Sequence, residues 1–245
     1  MADERIPPAR VLVVTATYDE AANLERLVEA LYALRVDGLQ VLVVDDQSPD
    51  GTAALARRLR ARWPGLRLIE RSGPRGRGLA GKDGFLYALH DPAIERVVEM
   101  DADFSHQPQD VPRLLNAIQD ADMAIGSRRV RGGADERSMA RRWLDRQAAL
   151  YARRLLRLPV EDANSNFRAY TRKALEAIDP ATLESVGSSL VLEVLYRASR
   201  AGLKIVETPV DFLGRKAGAS KFSLARLAFS CFWILRLRYP ALKRI

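Results

Sequence analysis

The sequence predicts an α/β fold with a mainly parallel central sheet flanked by helices. In the first half of the chain, short β-branched apolar runs alternate with amphipathic helical stretches, which is typical of parallel strands joined by crossover helices. The runs at 11–14 and 41–44 are apolar at every position, as in strands that are covered on both faces. A chain of 245 residues, 48% of them hydrophobic, is long enough for one domain with a substantial core.

The predicted elements alternate regularly up to about Gly126. Five strands are predicted, at Val11–Thr15, Gln40–Asp45, Leu66–Glu70, Arg96–Asp101 and Met123–Gly126. Four helices are predicted between them, at Glu20–Leu34, Thr52–Arg62, Leu79–Leu89 and Val111–Ile118.

Beyond Gly126 the pattern is less regular. It predicts an arginine-rich helix up to about Arg157, a strand at Asn166–Thr171, a helix at Leu190–Ala201, a strand at Lys204–Asp211 and a basic amphipathic helix from about Phe222. We therefore predict one globular domain over residues 1–221 and a C-terminal amphipathic segment over residues 222–245.

The net charge of +8 is concentrated near the C-terminus, because residues 212–245 contain eight basic residues and no acidic one. A second basic stretch, residues 128–157, has ten arginines against three acids. Such stretches suit nucleic acid, an anionic membrane surface or a phosphorylated substrate, and a solvated face is the alternative for each. One cysteine and two histidines exclude a disulfide framework and a Cys/His zinc site. The N-terminus does not read as a signal peptide, so a cytoplasmic protein is expected.

Polar side chains follow four of the predicted strands at the point where each strand ends. The four segments are Thr15-Ala16-Thr17-Tyr18-Asp19-Glu20, Asp45-Asp46-Gln47-Ser48, Asp101-Ala102-Asp103 and Gly126-Ser127-Arg128. Ligands of open parallel sheets bind at the carboxyl ends of the strands. The sequence therefore predicts a polar, phosphate-handling crevice at this edge.

Asp101-Ala102-Asp103 is the predicted metal site. Two carboxylates separated by one residue at a strand end can approach the same cation, and hard oxygen ligands indicate Mg²⁺ or Mn²⁺. Such a cation neutralises the charge that develops on a nucleoside diphosphate leaving group. Acids in loops more often cap helices or face water, so this motif gains weight from its position after a buried strand.

Gly76-Arg77-Gly78-Leu79-Ala80-Gly81 matches the glycine spacing of dinucleotide-binding proteins, which would make the chain a nicotinamide-dependent oxidoreductase. That fingerprint belongs after the first strand of its unit, whereas this one follows the third, so we interpret it as a coincidence. The remaining interpretations are a glycine loop that opens a helix, or a backbone cradle for phosphate with added charge from Arg71, Arg75, Arg77 and Lys82.

Several motifs in order along the chain resemble the polyprenyl-phosphate (dolichyl-phosphate) mannose synthases, which are inverting glycosyltransferases of family 2 with the GT-A fold. The matching blocks are Val43–Thr52, Asp101–His106, Gly126–Arg128, Phe167–Tyr170, Glu193, Phe212–Arg215, Gly218, Ser220 and Lys221. Departures from the family pattern stand at Ala16, Gln47, Arg129, Asn166, Val191 and Gly214.

The resemblance implies a role for each matching residue. The nucleotide-sugar ligands would be Thr17, Tyr18, Glu20, Asp45, Asp46, Asp101, Ala102 and Glu193. The ligands facing the metal would be Asp101, Asp103 and Ser105. Catalysis and phosphate binding would rest on Asp103, Arg128, Arg168, Arg215 and Lys221.

The implied reaction is transfer of mannose from GDP-mannose to a polyprenyl phosphate. A phosphate monoester is already largely anionic at neutral pH, so such an acceptor needs cations more than a strong base. A sugar hydroxyl acceptor would need a general base, for which Asp103, Glu193 and His106 are the candidates. The alternatives are a family 2 enzyme that uses another nucleotide sugar such as UDP-glucose or a saccharide acceptor, and a basic nucleic-acid-binding module; we expect no nucleic acid partner.

The C-terminal segment bears on the acceptor, because Leu224–Tyr239 combines apolar and aromatic residues with three arginines. Its longest apolar run is far shorter than the roughly 20 residues that a spanning helix needs. It is either a helix at the membrane interface or a terminal helix packed on the core. We expect a peripheral enzyme on the inner face of the cell membrane.

Overall fold

A seven-stranded sheet runs through the protein, whose computed structural model describes residues 10–214 and 232–239. Its strands are β1 (Val11–Thr17), β2 (Leu39–Asp45), β3 (Leu66–Glu70), β4 (Arg96–Glu99), β5 (Met123–Ser127), β7 (Arg168–Thr171) and β8 (Ile205–Pro209). Two short strands, β6 (Ala134–Asp135) and β9 (Asp211–Phe212), pair with each other outside this sheet.

The strand order is β3-β2-β1-β4-β7-β5-β8. The first four strands of the chain run parallel, and β8 runs parallel to β5. β7 lies between β4 and β5 and is antiparallel to both. The predicted mainly parallel sheet is confirmed, and the one reversed strand brings its amino end to the edge where its neighbours end.

Seven α-helices are described beside the strands. They are α1 (Ala21–Ala33), α2 (Thr52–Arg62), α3 (Arg77–His90), α4 (Val111–Ala117), α5 (Met139–Leu156), α6 (Arg172–Ile178) and α7 (Leu190–Arg200), and short 3-10 helices lie at Pro108–Asp110 and Pro180–Thr182. The sequence did not predict α6, because it follows β7 without a turn. Thr171 ends β7 and also caps α6, its hydroxyl accepting the N–H of Ala174 at 3.1 Å.

The core lies on both faces of the sheet. Leu12 and Val14 of β1 face one apolar layer, and Val11 and Val13 face the other. Successive side chains of a strand point to opposite faces, so a run without polar residues requires cover on both sides. Helices supply that cover, which explains the uninterrupted apolar runs of the first two strands.

The C-terminal segment is described only from 232 to 239, where residues 232–238 form a helix. Trp233 and Ile234 are buried there, and Ile234 joins the core on one face of the sheet. The predicted boundary between residues 221 and 222, and the predicted phosphate ligands Arg215 and Lys221, lie outside the described residues. None of the helices within the described ranges combines the length and the hydropathy needed to cross a membrane.

Candidate active site

The predicted strand-end residues meet at one edge of the sheet. β2, β1 and β4 are neighbours, so their carboxyl ends bring Asp45, Thr17 and Asp101 to the same edge. β5 ends there too, at Ser127 and Arg128. Backbone conformations with positive φ follow three of these ends, at Asp19 (60°), Gln47 (64°) and Phe104 (57°). Such backbone strain is concentrated at functional sites, where the surrounding structure must hold it in place.

Asp45 organises the loops after β1 and β2. Its carboxylate accepts hydrogen bonds from the Thr17 hydroxyl at 3.1 Å and from the Ser48 N–H and hydroxyl at 3.0 and 2.5 Å. Glu20 is fixed nearby, because its N–H donates to the Thr52 hydroxyl and its carboxylate accepts the Asn23 amide at 2.8 Å. The predicted nucleotide ligands therefore stand on a preorganised loop pair.

Tyr18 directly follows β1, at the same edge of the sheet. The guanidinium of Arg75 lies 3.7 Å from the centre of its ring, a cation–π contact. Arg75 precedes α3, so this contact connects the loop after β1 to the loop before α3. The role of Tyr18 in nucleoside binding stays a prediction.

Asp46 connects β2 to the start of α3. Its carboxylate forms an ion pair with Arg71 and accepts the N–H of Gly76 at 2.7 Å. Arg71 also holds Asp83 of α3 at 2.7 Å. Asp46 thus positions the first turn of α3, and this contact is independent of any ligand.

Asp101 is held by charged and polar neighbours. Nη2 of Arg77 donates to Oδ1 of Asp101 at 3.0 Å, and the side chain of Asn166 hydrogen-bonds the same carboxylate. Burial acts to raise the pKa of Asp101, but Arg77, His106 and Asn166 together outweigh burial and lower the pKa to about 2. The carboxylate is therefore ionised at neutral pH, and its side chain remains 26% exposed.

Asp103 and Ser105 stand on the bend that follows Asp101. Asp103 is buried, and its Oδ1 accepts the N–H of Ser105 at 3.0 Å. Within the described ranges, no group of three or more His, Cys, Asp and Glu side chains could hold a metal ion by itself. Two carboxylates do fit Mg²⁺ or Mn²⁺ in a site where substrate phosphates and water supply the remaining oxygen ligands. Ala102 is buried between them and offers no side-chain ligand.

His106 directly follows this bend and is buried. Its ring stacks on Phe167 and meets Phe212 edge-on, both at 5.0 Å between ring centres. Burial lowers the pKa of His106 to about 4, so the imidazole is neutral at pH 7. The N–H of Leu213 donates to the carbonyl of Ser105 at 3.1 Å. The chain that leads to Arg215 thus passes directly beside the predicted metal ligands.

Arg128, a predicted phosphate ligand, is paired with an acid that the sequence did not predict. Its Nε and Nη2 each donate to Asp162 at 2.7 Å, and Asp145 lies 3.2 Å from Nη2. Only 5% of the Arg128 side chain is exposed. In this arrangement Arg128 ties the end of β5 to the turn before β7.

Arg168, the other described phosphate candidate, is completely buried at the start of β7. Its three nitrogens donate to the carbonyls of Ser165 at 2.7 Å, Val191 at 2.5 Å and Ala163 at 3.0 Å. These bonds connect the turn before β7 with the first turn of α7. The structure thus shows Arg168 holding backbone, and its contact with a phosphate stays a prediction.

Glu193 lies in the first turn of α7, where it is buried. Its carboxylate accepts the N–H groups of Glu184 and Ser185, the latter at 2.8 Å, and pairs with Arg197 at 2.7 Å. It therefore fixes the loop before α7. Neither a nucleotide-sugar contact nor a role as base is visible in these bonds, so its predicted role stays untested.

The glycine pattern serves close packing. A Cβ on Gly76 would lie 2.4 Å from the carbonyl of Val186, and one on Gly78 would lie 2.4 Å from that of Ser185. The N–H of Gly76 is bound to Asp46, and that of Gly78 to the carbonyl of Val186 at 2.8 Å. This arrangement favours a packing role over a phosphate cradle. It also agrees with our interpretation of the dinucleotide spacing as a coincidence.

Three important residues could not be assigned from sequence. Arg77 stands out only as one cation among several near the glycines, Asn166 only as a departure from a family pattern, and Asp162 not at all. The one available signal is the polar turn Glu161–Asn166, which precedes an arginine. Long-range pairing decides what each of these residues contacts.

Comparisons with known proteins show to which family the chain belongs. A sequence model described as Glycosyl transferase family 2 matches residues 12–179. The undecaprenyl-phosphate mannosyltransferase of Micrococcus luteus is 41% identical over 217 residues, which are 87% of this chain and 88% of that protein. The polyprenol monophosphomannose synthase of Mycolicibacterium smegmatis is 38% identical over 229 residues, which are 92% of this chain and 86% of that protein.

Solved structures resemble the fold. Glucosyl-3-phosphoglycerate synthase from Mycobacterium tuberculosis, in complex with Mn²⁺ and UDP-glucose, matches with a TM-score of 0.66 and 20% identity, over 94% of this chain and 77% of that chain. A mannosyltransferase from Pyrobaculum calidifontis, in complex with GDP-Man and Mn²⁺, matches with a TM-score of 0.58 and 20% identity, over 96% of this chain and 64% of that chain. The fold is GT-A, and this chain belongs to glycosyltransferase family 2.

Proposed function

We propose that this protein transfers a mannosyl group from GDP-mannose to a polyprenyl phosphate, with inversion at the anomeric carbon. The observation that carries the proposal is 41% identity to an undecaprenyl-phosphate mannosyltransferase over nearly the whole of both chains. The ionised Asp101 beside Asp103 at the sheet edge supports the use of a nucleoside diphosphate donor.

Asp101 and Asp103 would hold Mg²⁺ or Mn²⁺ in this reaction. When bound there, the metal would supply positive charge that offsets the negative charge developing on the departing GDP. Complexes of the two structural neighbours with Mn²⁺ and a nucleotide sugar support this assignment. Thr17, Tyr18, Glu20 and Asp45 would position the nucleoside on the loop pair after β1 and β2.

The acceptor would react through a phosphate oxygen. That oxygen forms a bond to the anomeric carbon while the bond from this carbon to the β-phosphate oxygen of GDP breaks, and the electron pair leaves with GDP. Because the phosphate is already anionic at pH 7, no side chain has to remove a proton from it. His106 packs against two aromatic rings and its burial lowers its pKa to about 4, which makes it a weak base and agrees with a mechanism without a histidine base.

Cationic side chains would hold the two phosphates together. Arg215 and Lys221 are proposed for this contact, since the chain enters their segment beside Ser105. Arg128 and Arg168 would contribute by fixing the turn before β7, and a direct phosphate contact would require them to leave their present partners. We place residues 1–221 in the transferase domain.

Residues 222–245 are proposed to contact the inner face of the cell membrane. Their excess of basic residues suits anionic lipid, and Phe232 and Tyr239 are each about half exposed within the described part. The burial of Ile234 is compatible with this role, because one face of a helix can pack on the domain while another meets lipid.

The decisive experiment incubates the purified full chain with Mn²⁺, a polyprenyl phosphate and a panel of labelled nucleotide sugars. We expect labelled lipid from GDP-mannose and none after removal of the cation by a chelator. Asp103→Asn should reduce the rate by at least about 100-fold, because one metal ligand loses its charge. Labelled lipid from UDP-glucose alone would contradict the choice of mannose, and labelled lipid from no donor would contradict the lipid acceptor.

A further inference from the structure

Arg77, the first residue of α3, lies between two carboxylates of the β4 end. Its Nη2 is 3.0 Å from Oδ1 of Asp101, and its Nη1 is 3.4 Å from Oε1 of Glu99. The side chain is 28% exposed. The positive charge of Arg77 is thus paired with Asp101, one of the two predicted metal ligands.

We propose that Arg77 is a displaceable counter-ion that makes metal binding depend on nucleotide binding. In the free protein its guanidinium forms an ion pair with the carboxylate of Asp101. When the cation and the nucleoside diphosphate arrive together, Arg77 leaves Asp101 and contacts the diphosphate. This inference rests on the proposed function, in particular on a divalent cation at Asp101 and Asp103.

The first support is electrostatic. A divalent cation that binds without a nucleotide must replace Arg77 as the partner of Asp101. It must then remain close to the guanidinium, and like charges in a partly buried site repel strongly. A nucleoside diphosphate removes both penalties, since its oxygens bind the cation and also offer Arg77 new acceptors. The planar guanidinium is well suited to paired phosphate oxygens.

The second support is that Arg77 has an alternative partner. Glu99 is buried and is held in place by the Tyr170 hydroxyl, which donates to its Oε2 at 3.2 Å. An arginine that left Asp101 without another acid nearby would be an uncompensated charge at a partly buried position. Nη1 of Arg77 already lies 3.4 Å from Oε1 of Glu99, so the guanidinium keeps this acceptor when its Nη2 leaves Asp101 by a rotation of the side chain. Burial raises the pKa of Glu99, and the neighbouring Arg77 acts against that rise.

The third support is that the backbone of Arg77 is fixed on both sides. The N–H of Gly76 donates to Asp46, and the N–H of Gly78 donates to the carbonyl of Val186. Both glycines also pack so closely on the loop before α7 that a Cβ would clash. The exchange of partners is therefore a side-chain motion, and α3 does not have to move.

The test measures binding of Mn²⁺ by electron paramagnetic resonance, with and without GDP, in the full-length protein. Arg77→Leu should bind Mn²⁺ alone at least about tenfold more tightly than the unaltered protein. The ratio of the Mn²⁺ dissociation constants without and with GDP should fall by a similar factor. By reciprocity, the effect of Mn²⁺ on the affinity for GDP should shrink equally.

Two controls remove the same charge elsewhere. The first control is Arg75→Leu, since Arg75 is two residues from Arg77 in sequence and contacts the ring of Tyr18. The second is Arg58→Leu, since Arg58 lies on the exposed face of α2. Both should leave the affinity for Mn²⁺ alone within about twofold of the original value. An equal gain in Arg75→Leu would show that general charge, and not the contact with Asp101, is responsible, and would overturn the inference.

Glu99→Gln gives a change of opposite sign. Without the second carboxylate, Arg77 should stay on Asp101 in the free protein, so Mn²⁺ alone should bind more weakly, whereas Mn²⁺ binding with GDP should change less because Arg77 then contacts the diphosphate. Thermal unfolding will show whether Arg77→Leu is folded. If it is not, Arg77→Lys provides the test, because it keeps the charge and should retain most of the coupling between Mn²⁺ and GDP binding. An Arg77→Leu protein that binds Mn²⁺ alone no more tightly than the original contradicts the inference.

The outcomes also separate this inference from the proposed function. If Mn²⁺ and GDP bind together but Arg77→Leu has no effect on their coupling, only the role of Arg77 is wrong. If no variant binds Mn²⁺ even with GDP, the metal-dependent function and the role of Arg77 are both wrong.

Discussion

Arg128 and Asp162 form a buried bidentate ion pair, in which Nε and Nη2 of the arginine each donate a 2.7 Å hydrogen bond to the carboxylate. The N–H of Arg128 adds a third bond at 3.0 Å. Asp162 is completely buried, so its charge depends on Arg128 for compensation. The pair fixes the end of β5 against the turn that leads to Asn166 and β7.

Replacement of Asp162 should therefore be strongly destabilising. Asp162→Ala leaves the Arg128 guanidinium buried without its main partner, and we expect the free energy of unfolding to fall by about 3–5 kcal/mol. Urea denaturation will measure this. The neighbouring Glu161→Ala is the matched control, because the Glu161 side chain is 55% exposed and loss of its ion pair with Arg153 should cost less than about 1 kcal/mol. Equal losses in the two variants would contradict the buried pair.

The same carboxylate predicts a specific dependence of stability on pH. Burial acts to raise the pKa of Asp162, but its hydrogen bonds and ion pair with Arg128 outweigh this and lower the pKa from 3.8 to about 2. A lowered pKa stabilises the folded state above the unfolded value, and that contribution is lost as the pH falls from about 4 toward 2. Its size is about 2 kcal/mol. Urea denaturation at several pH values should show a shallower acid loss in Asp162→Asn, and an unchanged slope would be incompatible with this origin.

Gly78→Ala should disturb the junction of α3 with the loop before α7. The new Cβ would lie 2.4 Å from the carbonyl of Ser185 and 2.7 Å from that of Gly187, which are backbone atoms that cannot rotate away. We expect a loss of about 1–3 kcal/mol in the free energy of unfolding, together with a lower transfer rate, because Arg77 stands next to this residue. Gly73→Ala is the control, since a Cβ there meets nothing within 4 Å. A Gly78→Ala protein as stable and active as Gly73→Ala would refute the packing role.

Two variants of the C-terminal helix separate core packing from membrane contact. Ile234 is 3% exposed, and Ile234→Ala should lower the free energy of unfolding by about 2–5 kcal/mol. Phe232 is 51% exposed, and Phe232→Ala should change stability by less than about 0.5 kcal/mol. It should nevertheless reduce sedimentation with anionic vesicles. Undiminished vesicle binding by Phe232→Ala would argue against a membrane contact at this position.

Residue patterns along the chain predicted the scaffold of the site well. The apolar runs of β1 and β2 indicated strands covered on both faces, and the acids that follow β2 and β4 do lie at one edge of the sheet. Prediction was less accurate where a pattern serves two purposes. Gly76 and Gly78 satisfy a nucleotide-binding spacing, yet they are glycines because the backbone of another loop lies against them.

The sequence by itself determined the α/β class, the gathering of polar strand ends at the carboxyl edge, the pair of acids at Asp101 and Asp103, and the excess of basic residues near the C-terminus. These features depend on residue type and on short-range periodicity. Only the tertiary structure decided which partner each charge takes. Arg77 meets Asp101 because β4 ends beside the first turn of α3, and Arg128 meets Asp162 because β7 is reversed between β4 and β5. Strand order and direction arise from packing of the whole chain, and local sequence patterns do not encode them.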